Sequence, residues 1–529
     1  MRYGEIFVSD ASNSNIDKIE KWFDSFLNFE KLPQKNMFWL DTVKFMCRKL
    51  GDPQDESPCV HIAGSKGKGS VSAMISSILE ESGYRTGLYT SPHILEFTER
   101  IGSAHGKFEN EVYEAAFDEL KNLMSTITGG NVSGSGGHIA RSGNSVNLRD
   151  SLETVTKRPV TWFELVTVYA FLCFKHAHTN FNVFEVGMGG RLDATNVIVP
   201  DICVLTPIEL EHTQFLGDTI EKIAGEKAGI IKDKIPVISA DQNIEAENVF
   251  RKKASENCAP LKFVSEMMDK SKCGFSYLTG ENCVSAADFE PKCIKEYTSL
   301  QTFYGTMPSD PAPAASIPAS SIAVHSALAP SPVKTVRMNI RMESPLFSRP
   351  ISAALQLLGR VQLENAKLAA CAIKTLFPLI DESIIERGLE KAKLPGRFEI
   401  AKEDLVLDGA HTVNSIGFTV DTFNSVFKQR RAHLLFACAA DKNVFDIALV
   451  FKNRFEKITL TRPGNAKKSD LSSMREAFKK AGLKFTESED HVSAIKNALY
   501  EAKKDGAVLL VTGSFYLVAE VKKIIDNLD

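Results

Sequence analysis

In PCVHIAGSKGKGSVSAMISSILEESGYRTGLYT, residues 58–90, a short apolar run leads into a glycine loop, a helix-spaced segment and a second apolar run. The two runs are too short for helices and read as buried strands. Small and apolar residues recur at helical spacing from Ser70 to Tyr84, and Gly83 stands where a C-cap glycine belongs. Strand, loop, helix, strand is a βαβ unit. It commits this part of the chain to a parallel sheet with helices on its faces.

The loop itself reads G-S-K-G-K-G-S, Gly64 to Ser70. Gly64, Gly67 and Gly69 let the backbone curl around phosphate oxygens, and the helix that follows supplies unpaired N–H groups and positive potential. Lys68 would reach the β- and γ-phosphates of a nucleotide, and Ser70 would place a hydroxyl on Mg²⁺. Ser65 and Lys66 lie in the same turn. The strict pattern G-x-x-x-x-G-K-[ST] is not met, because Gly69 separates Lys68 from Ser70. The plainer alternative is a Gly/Lys turn with solvated charges.

Elsewhere the α/β alternation continues. Residues 14–50 carry Ile16, Ile19, Trp22 and Phe23 at helical spacing. TWFELVTVYAFLCFKHA is an apolar helix, more a core element than a ligand box, and FNVFEVGMGG and DICVLTPI are buried strands. TIEKIAGEKAGIIK and LENAKLAACAIKTLF read as helices. LPGRFEI places Pro and Gly before a strand, which suggests a hinge. Beyond it DLVLDGAH, AHLLFACAAD, KITLTRP and AVLLVTGS alternate with helical stretches, a second α/β unit beginning near residue 396. Two stretches break the pattern: 127–150, rich in Gly, Ser and Asn, and 305–334, rich in Pro, Ala and Ser. Both are expected to be surface insertions.

With 529 residues the chain is too long for one core, so two or more domains are expected. A net charge of −3 gives no reason to expect nucleic acid or a membrane as partner. The N-terminal stretch has no signal-peptide pattern, no apolar run spans a bilayer, and the ten cysteines lack C-x-x-C spacing. Free thiols in a cytoplasmic protein are the expectation. Glu185 stands out between NVF and VGMGG: a carboxylate ending an apolar strand would be buried, and needs a cation, either a metal or Arg191.

AGSKGKGS, YTSPHI with ERI, FEVGMGGRLDATN, HTQFLGDTIEKIAGEKAGIIK, LPGRFE and DGAH occur in an order that resembles the folylpolyglutamate synthase and dihydrofolate synthase family, relatives of the Mur ligases of peptidoglycan synthesis. The resemblance covers both units apart from the insertions. It implies an α/β fold: a P-loop, Mur-ligase-like parallel-sheet ATPase domain (1–395) joined to a smaller Rossmann-like glutamate ligase domain (396–529). It further implies that ATP phosphorylates a folate carboxylate and that the amine of L-glutamate attacks the acyl phosphate.

Carried over residue by residue, the resemblance places Ser70, Ser91, Glu185 and His212 at Mg²⁺, with a second Mg²⁺ and a monovalent cation as further candidates. It makes Lys227 a carbamylated lysine, where the bare sequence would give a solvated helix lysine. Asn365 matches a nucleotide contact, although Val361 replaces the usual His. Arg397 matches a phosphate-binding residue. Asp408 and His411 match residues facing the reacting groups, with Thr412 and Val413 where relatives have Asn and Pro. Which of these two receives the amine proton stays open. Lys66 stands where many members have Asn. Phe163 and Glu164 would lie beside the folate site, and TGSFYLVAEV near the C-terminus is read first as packing.

The resemblance gives folates or dihydropteroate, L-glutamate and ATP as substrates of a monomer, without nucleic acid or membrane. Tail extension of tetrahydrofolates, glutamylation of dihydropteroate, or both remain open. A P-loop switch without ligase chemistry is the alternative from another class. It accounts for Lys68 and Ser70 and leaves Glu185, His212, Lys227, Arg397 and Asp408 unexplained.

Overall fold

The computed structural model describes residues 15–26, 28, 40–128, 159–279, 336–440, 442–464 and 469–526. The expected insertion at 305–334, and nearly all of that at 127–150, lie outside them. The helical stretch expected over 14–50 is represented by two helices, α1 (Asn15–Asp24) and α2 (Asp41–Lys49).

The βαβ unit forms as β1 (Cys59–Ala63), α3 (Lys68–Glu81) and β2 (Thr86–Tyr89). The helix begins two residues before Ser70, because Gly67 at φ +91° lets the loop turn straight into it; Gly83 closes it at φ +92°. A meander, β3 (Ile101–Ser103) and β4 (Gly106–Lys107), runs antiparallel on the β2 edge. Helices α4 (Asn110–Thr128) and α5 (Trp162–His176) precede β5 (Phe181–Glu185) and β6 (Ile202–Leu205). Then come α6 (Ile220–Lys227), β7 (Val237–Ser239), α7 (Ile244–Glu256) and β8 (Leu261–Phe263). The sheet order is β4-β3-β2-β5-β1-β6-β7-β8. Thus β1 lies between β5 and β6, and β1, β2, β5, β6, β7 and β8 run parallel. The central strands β1, β5 and β6 are buried along their whole length, which their mostly apolar residues reflect.

A three-stranded antiparallel sheet, β9 (Gly274–Thr279), β10 (Val336–Met342) and β11 (Ile351–Leu355), leads into α8 (Arg360–Leu376) and α9 (Glu382–Lys391). Helix α9 packs closely on α3: Ser77 Oγ donates to the Gly388 carbonyl at 2.7 Å. A third sheet has the order β12-β13-β17-β14-β15-β16. Its strands are β12 (Glu399–Lys402), β13 (Leu405–Leu407), β14 (Ala432–Phe436), β15 (Lys457–Leu460), β16 (Thr486–Glu487) and β17 (Val508–Thr512). All are parallel except β12. Helices α10 (Val413–Val426) and α11 (Phe515–Asp526) follow β13 and β17. One apolar cluster runs from Val60 and Ile75 through Leu363 and Ala366 to Ile416 and Leu434, so α8 joins the first sheet to the third. The cysteines of the described residues are all free, and no described helix is long and apolar enough to cross a membrane.

Inside the first sheet His61 is fully buried on β1. Thr195 Oγ1 donates to Asp193 at 2.6 Å, so His61 Nε2, 2.9 Å from the same hydroxyl, is itself the donor. Burial, with Lys232 nearby, pushes the imidazole down to about 3. An unfolded histidine binds its proton near pH 6.5. Below that pH the unfolded state therefore holds a proton the fold refuses. Stability contributed by His61 is full above about pH 6.5 and is lost on acidification, by up to about 1.4 kcal/mol per pH unit. His61→Gln is expected to flatten the pH dependence of urea unfolding between about pH 4 and 7; parallel wild-type and variant curves would refute this.

Candidate active site

Four loops meet at the carboxyl ends of β1, β2, β5 and β6, the crevice where open parallel sheets place ligands. The glycine loop after β1 is pinned to the segment after β6. Ser65 N–H donates to the Pro207 carbonyl at 2.9 Å and Ser65 Oγ to the Glu209 carbonyl at 3.1 Å. Gly64, at φ +146°, faces Thr206 so closely that any Cβ would overlap its hydroxyl. Gly67 lies against α8, where a Cβ would come within 2.6 Å of Asn365 Oδ1. The Asn365 amide donates to Gln362 at 2.9 Å, which holds that oxygen toward the loop.

Three lysines and one carboxylate crowd the loop. Lys68 Nζ donates to the Gly64 carbonyl at 3.0 Å, and Lys227 Nζ donates to the same oxygen at 2.8 Å. Lys227 also pairs with Glu211 Oε1 at 3.1 Å, and Lys66 with Glu211 Oε2 at 3.4 Å. Lys227 is 1% exposed, so the solvated helix lysine read from the bare sequence is corrected. It ends α6 pointing inward, under Gly190, whose Cβ would meet the Glu226 carbonyl at 2.8 Å. Burial, with Lys68 beside it and Glu211 pulling the other way, brings its amine down to about 8. Burial would raise Glu211, but Lys68, Lys227 and Lys66 together hold it at about 2.

Glu185 ends β5 and is buried, as expected. Its Oε2 accepts the Ser91 N–H at 3.1 Å and lies 3.5 Å from where a Gly69 Cβ would stand. The expected alternative partner is elsewhere: Arg191 pairs with Glu226 at 2.9 Å. Burial pushes the Glu185 carboxyl up, and Lys68, the Ser91 N–H, Arg397 and Arg100 oppose that. Arg100 is itself buried, stacked 4.8 Å over Trp162 and donating through Nε to His93 Nδ1 at 2.8 Å. Ser70 is buried in the first turn of α3. His212 is exposed, at φ +47°, ahead of the helical turn 213–216.

The third sheet presents its own carboxyl edge. Asp408, after β13, accepts the N–H groups of Phe398 and Ala410, each at 2.7 Å, and the Thr419 hydroxyl at 3.0 Å. Burial raises its carboxyl against the pull of Arg397. Arg397 lies in the turn so held, its guanidinium 4.4 Å over the Phe515 ring. His411 Nδ1 is 2.9 Å from the Gly409 carbonyl, which can only accept, so Nδ1 carries the proton and Nε2 the lone pair. Burial pushes His411 down to about 4, with Lys66 and Lys442 adding to the effect. It is neutral at pH 7. The TSPHI loop bridges to this unit: Ile94 packs on Gly396, beside Arg397.

Glu164 is held by the start of its own helix. Its carboxylate accepts the Thr161 N–H at 2.9 Å and the Thr161 hydroxyl at 2.7 Å, capping α5. Phe163 lies over Gly187, leaving no room for a side chain there. Glu211, Arg100 and Phe515 are site residues that sequence reasoning missed. Glu209 and Glu211 alternate in ELEH with nothing to say which faces inward, Arg100 lies in the ERI motif with no role assigned to it, and Phe515 lies in TGSFYLVAEV, which reads first as packing.

Among the described residues no three His, Cys, Asp or Glu side chains converge on one point. A cation here would meet one buried carboxylate, Glu185, flanked by the serines 70 and 91. That oxygen set suits Mg²⁺, which keeps waters and takes nucleotide oxygens in its remaining positions. At Gly67 a positive φ and a close approach to Asn365 coincide, so a side chain there meets both a backbone and a steric penalty. Gly67→Ala is expected to lower stability by about 1–3 kcal/mol and to abolish ADP binding; calorimetric titration with ADP and thermal unfolding measure both.

Residues 120–273 match the Mur ligase middle domain and residues 396–515 the Mur ligase glutamate ligase domain. A Bacillus subtilis dihydrofolate synthase/folylpolyglutamate synthase is 29% identical over 501 residues, 92% of this chain and 94% of that protein. The fold is shared with Mycobacterium tuberculosis folylpolyglutamate synthase complexed with ADP and AMPPCP, at a TM-score of 0.69 and 23% identity over 96% of this chain and 98% of that one. It is shared equally with Escherichia coli FolC in complex with DHPP and ADP, at a TM-score of 0.68 and 21% identity over the same proportions. The chain belongs to the Mur ligase family, in its folylpolyglutamate synthase and dihydrofolate synthase branch.

Proposed function

We propose that this protein is an ATP-dependent amide ligase that adds L-glutamate to the γ-carboxyl of tetrahydrofolate polyglutamates, and that it also accepts dihydropteroate. The observation that carries the reading is the meeting of two carboxyl edges. A lysine-lined glycine loop and a buried carboxylate on one sheet are joined by Arg397 from the other unit, beside Glu185.

The chemistry runs in two transfers. The substrate carboxylate attacks the γ-phosphorus of ATP; an O–P bond forms and ADP leaves. The amine of glutamate then attacks the carbonyl carbon; a C–N bond forms, the C–O bond to phosphate breaks, and phosphate departs with that oxygen. A carboxylate oxygen will not leave unaided, so the first step supplies the leaving group.

In this reading Gly64, Ser65, Lys66, Gly67, Lys68, Gly69 and Ser70 cradle the phosphates, with Asn365 closing the loop from α8. Lys68 and Arg397 offset charge on the phosphoryl group in flight. Glu185, Ser70, Ser91 and His212 would hold Mg²⁺, which polarises the phosphoryl oxygens when bound. Lys227 is buried, and its lowered amine is available in neutral form, the form that takes up CO₂ as a carbamate. His411 offers its Nε2 lone pair to the attacking amine. Asp408, with both oxygens engaged by the backbone, acts by holding the turn that carries Arg397.

Purified protein is expected to release ADP from ATP through repeated turnovers only when both glutamate and tetrahydrofolate or dihydropteroate are present. Glutamate-independent hydrolysis would mark a nucleotide switch instead. Lys68→Ala is expected to lower turnover by about a hundredfold or more with the fold retained. Glu185→Ala is expected to move the Mg²⁺ titration of activity to higher concentration, and an unmoved titration would remove Glu185 from the metal site.

A further inference from the structure

Glu211 has no part in the two transfers, yet it is the carboxylate on which the loop's charge balance turns. One oxygen takes Lys227 at 3.1 Å and the other Lys66 at 3.4 Å. Its side chain is 13% exposed and that of Lys66 is 30% exposed. Lys66 lies in the loop itself, with the Ser65 N–H and its own N–H directed to the Pro207 carbonyl at 2.9 and 3.4 Å. The loop and the Glu211 segment are therefore a single clamped unit. His411, from the other unit, also feels the Lys66 charge, so this lysine stands where the two units face each other.

A triphosphate entering the glycine loop brings several negative charges to the same ammonium groups. Lys66 cannot give its full attraction to phosphate oxygens while it is paired with Glu211. We propose that Glu211 is an intramolecular counter-anion which nucleotide phosphate displaces from Lys66, so that the Glu211–Lys66 pair sets nucleotide affinity and speeds release of the product nucleotide. This rests on the nucleotide-binding reading of the loop, and adds a positioning residue to it. In its ammonium form, as in this structure, Lys227 gives Glu211 a second anchor at 3.1 Å, so the carboxylate stays in place when Lys66 leaves it. The pair is a competitor in the thermodynamic sense: whatever Glu211 contributes to holding Lys66, phosphate forgoes.

The test is calorimetric titration of ADP and of AMPPCP into the full-length protein and its variants. Glu211→Gln keeps the shape and a hydrogen-bonding oxygen but removes the charge. It is expected to bind ADP about fivefold more tightly or better, the lower range of ordinary coupling between sites. Tighter binding is a result that local misfolding cannot produce. Glu211→Asp, which retains the charge, is expected to stay near wild type. In a Lys66→Asn background the Glu211→Gln gain is expected to vanish, because the lysine to be released is gone. Unchanged or weaker ADP binding in Glu211→Gln, or the same gain in both backgrounds, would overturn the proposal while leaving the ligase reading intact. Wild-type protein and Glu211→Gln that both fail to bind any nucleotide would overturn the reading and this proposal together.

Discussion

Positive potential gathered at one point holds this site together. A parallel sheet aligns the carboxyl ends of β1, β2, β5 and β6, and a glycine turn there opens directly into the N-terminus of α3. Into that already positive corner the chain brings Lys66, Lys68 and Lys227. Like charges so close are costly in a partly dry site unless each finds an acceptor. Without nucleotide, the Gly64 carbonyl and the Glu211 carboxylate are those acceptors. The loop therefore carries internal substitutes for the phosphate oxygens it is shaped to meet.

Glu185 poses the converse problem. It is a buried carboxylate at the end of β5, near Lys68, Arg397 and Arg100, with the Ser91 N–H as its close donor among the described residues. Cations at a distance temper its burial without neutralising it. A hard cation beside it would complete the balance, and the surrounding serines are the ligands such a cation accepts. The charges of loop and strand end are thus arranged as two halves of one device, an anion receptor beside a cation receptor, the combination that a metal–nucleotide complex needs.

Much of this was legible in the chain. The βαβ unit, the buried Glu185 strand and the alternation after residue 396 follow from local pattern, since buried parallel strands are short and apolar and the glycines mark the turns. Gly83 fell where a helix stop was expected. Electrostatic partnership was not legible. Lys227 looked like any helix lysine, because its direction depends on where α6 docks against Gly190. Glu211 and Glu209 differ by one position along an extended segment, and only the tertiary fold decides which one faces the lysines. Arg191 was a reasonable neighbour for Glu185 by sequence distance, but the turn after Gly190 sends it to Glu226. Periodicity sets elements; pairing of charges is set by how the elements meet.

The hydrogen bonds of Asp408 have a mechanical meaning of their own. One oxygen clasps the amide of Phe398 and the other that of Ala410. The neighbours of those two amides are Arg397 and His411, and the Phe515 ring borders both side chains. A guanidinium from one turn and an imidazole from another are thereby riveted into a single part with a fixed spacing. Whatever brings one of them to the crevice delivers the other in register, so under the proposed ligase reading phosphate binding by Arg397 and amine acceptance by His411 would be coupled.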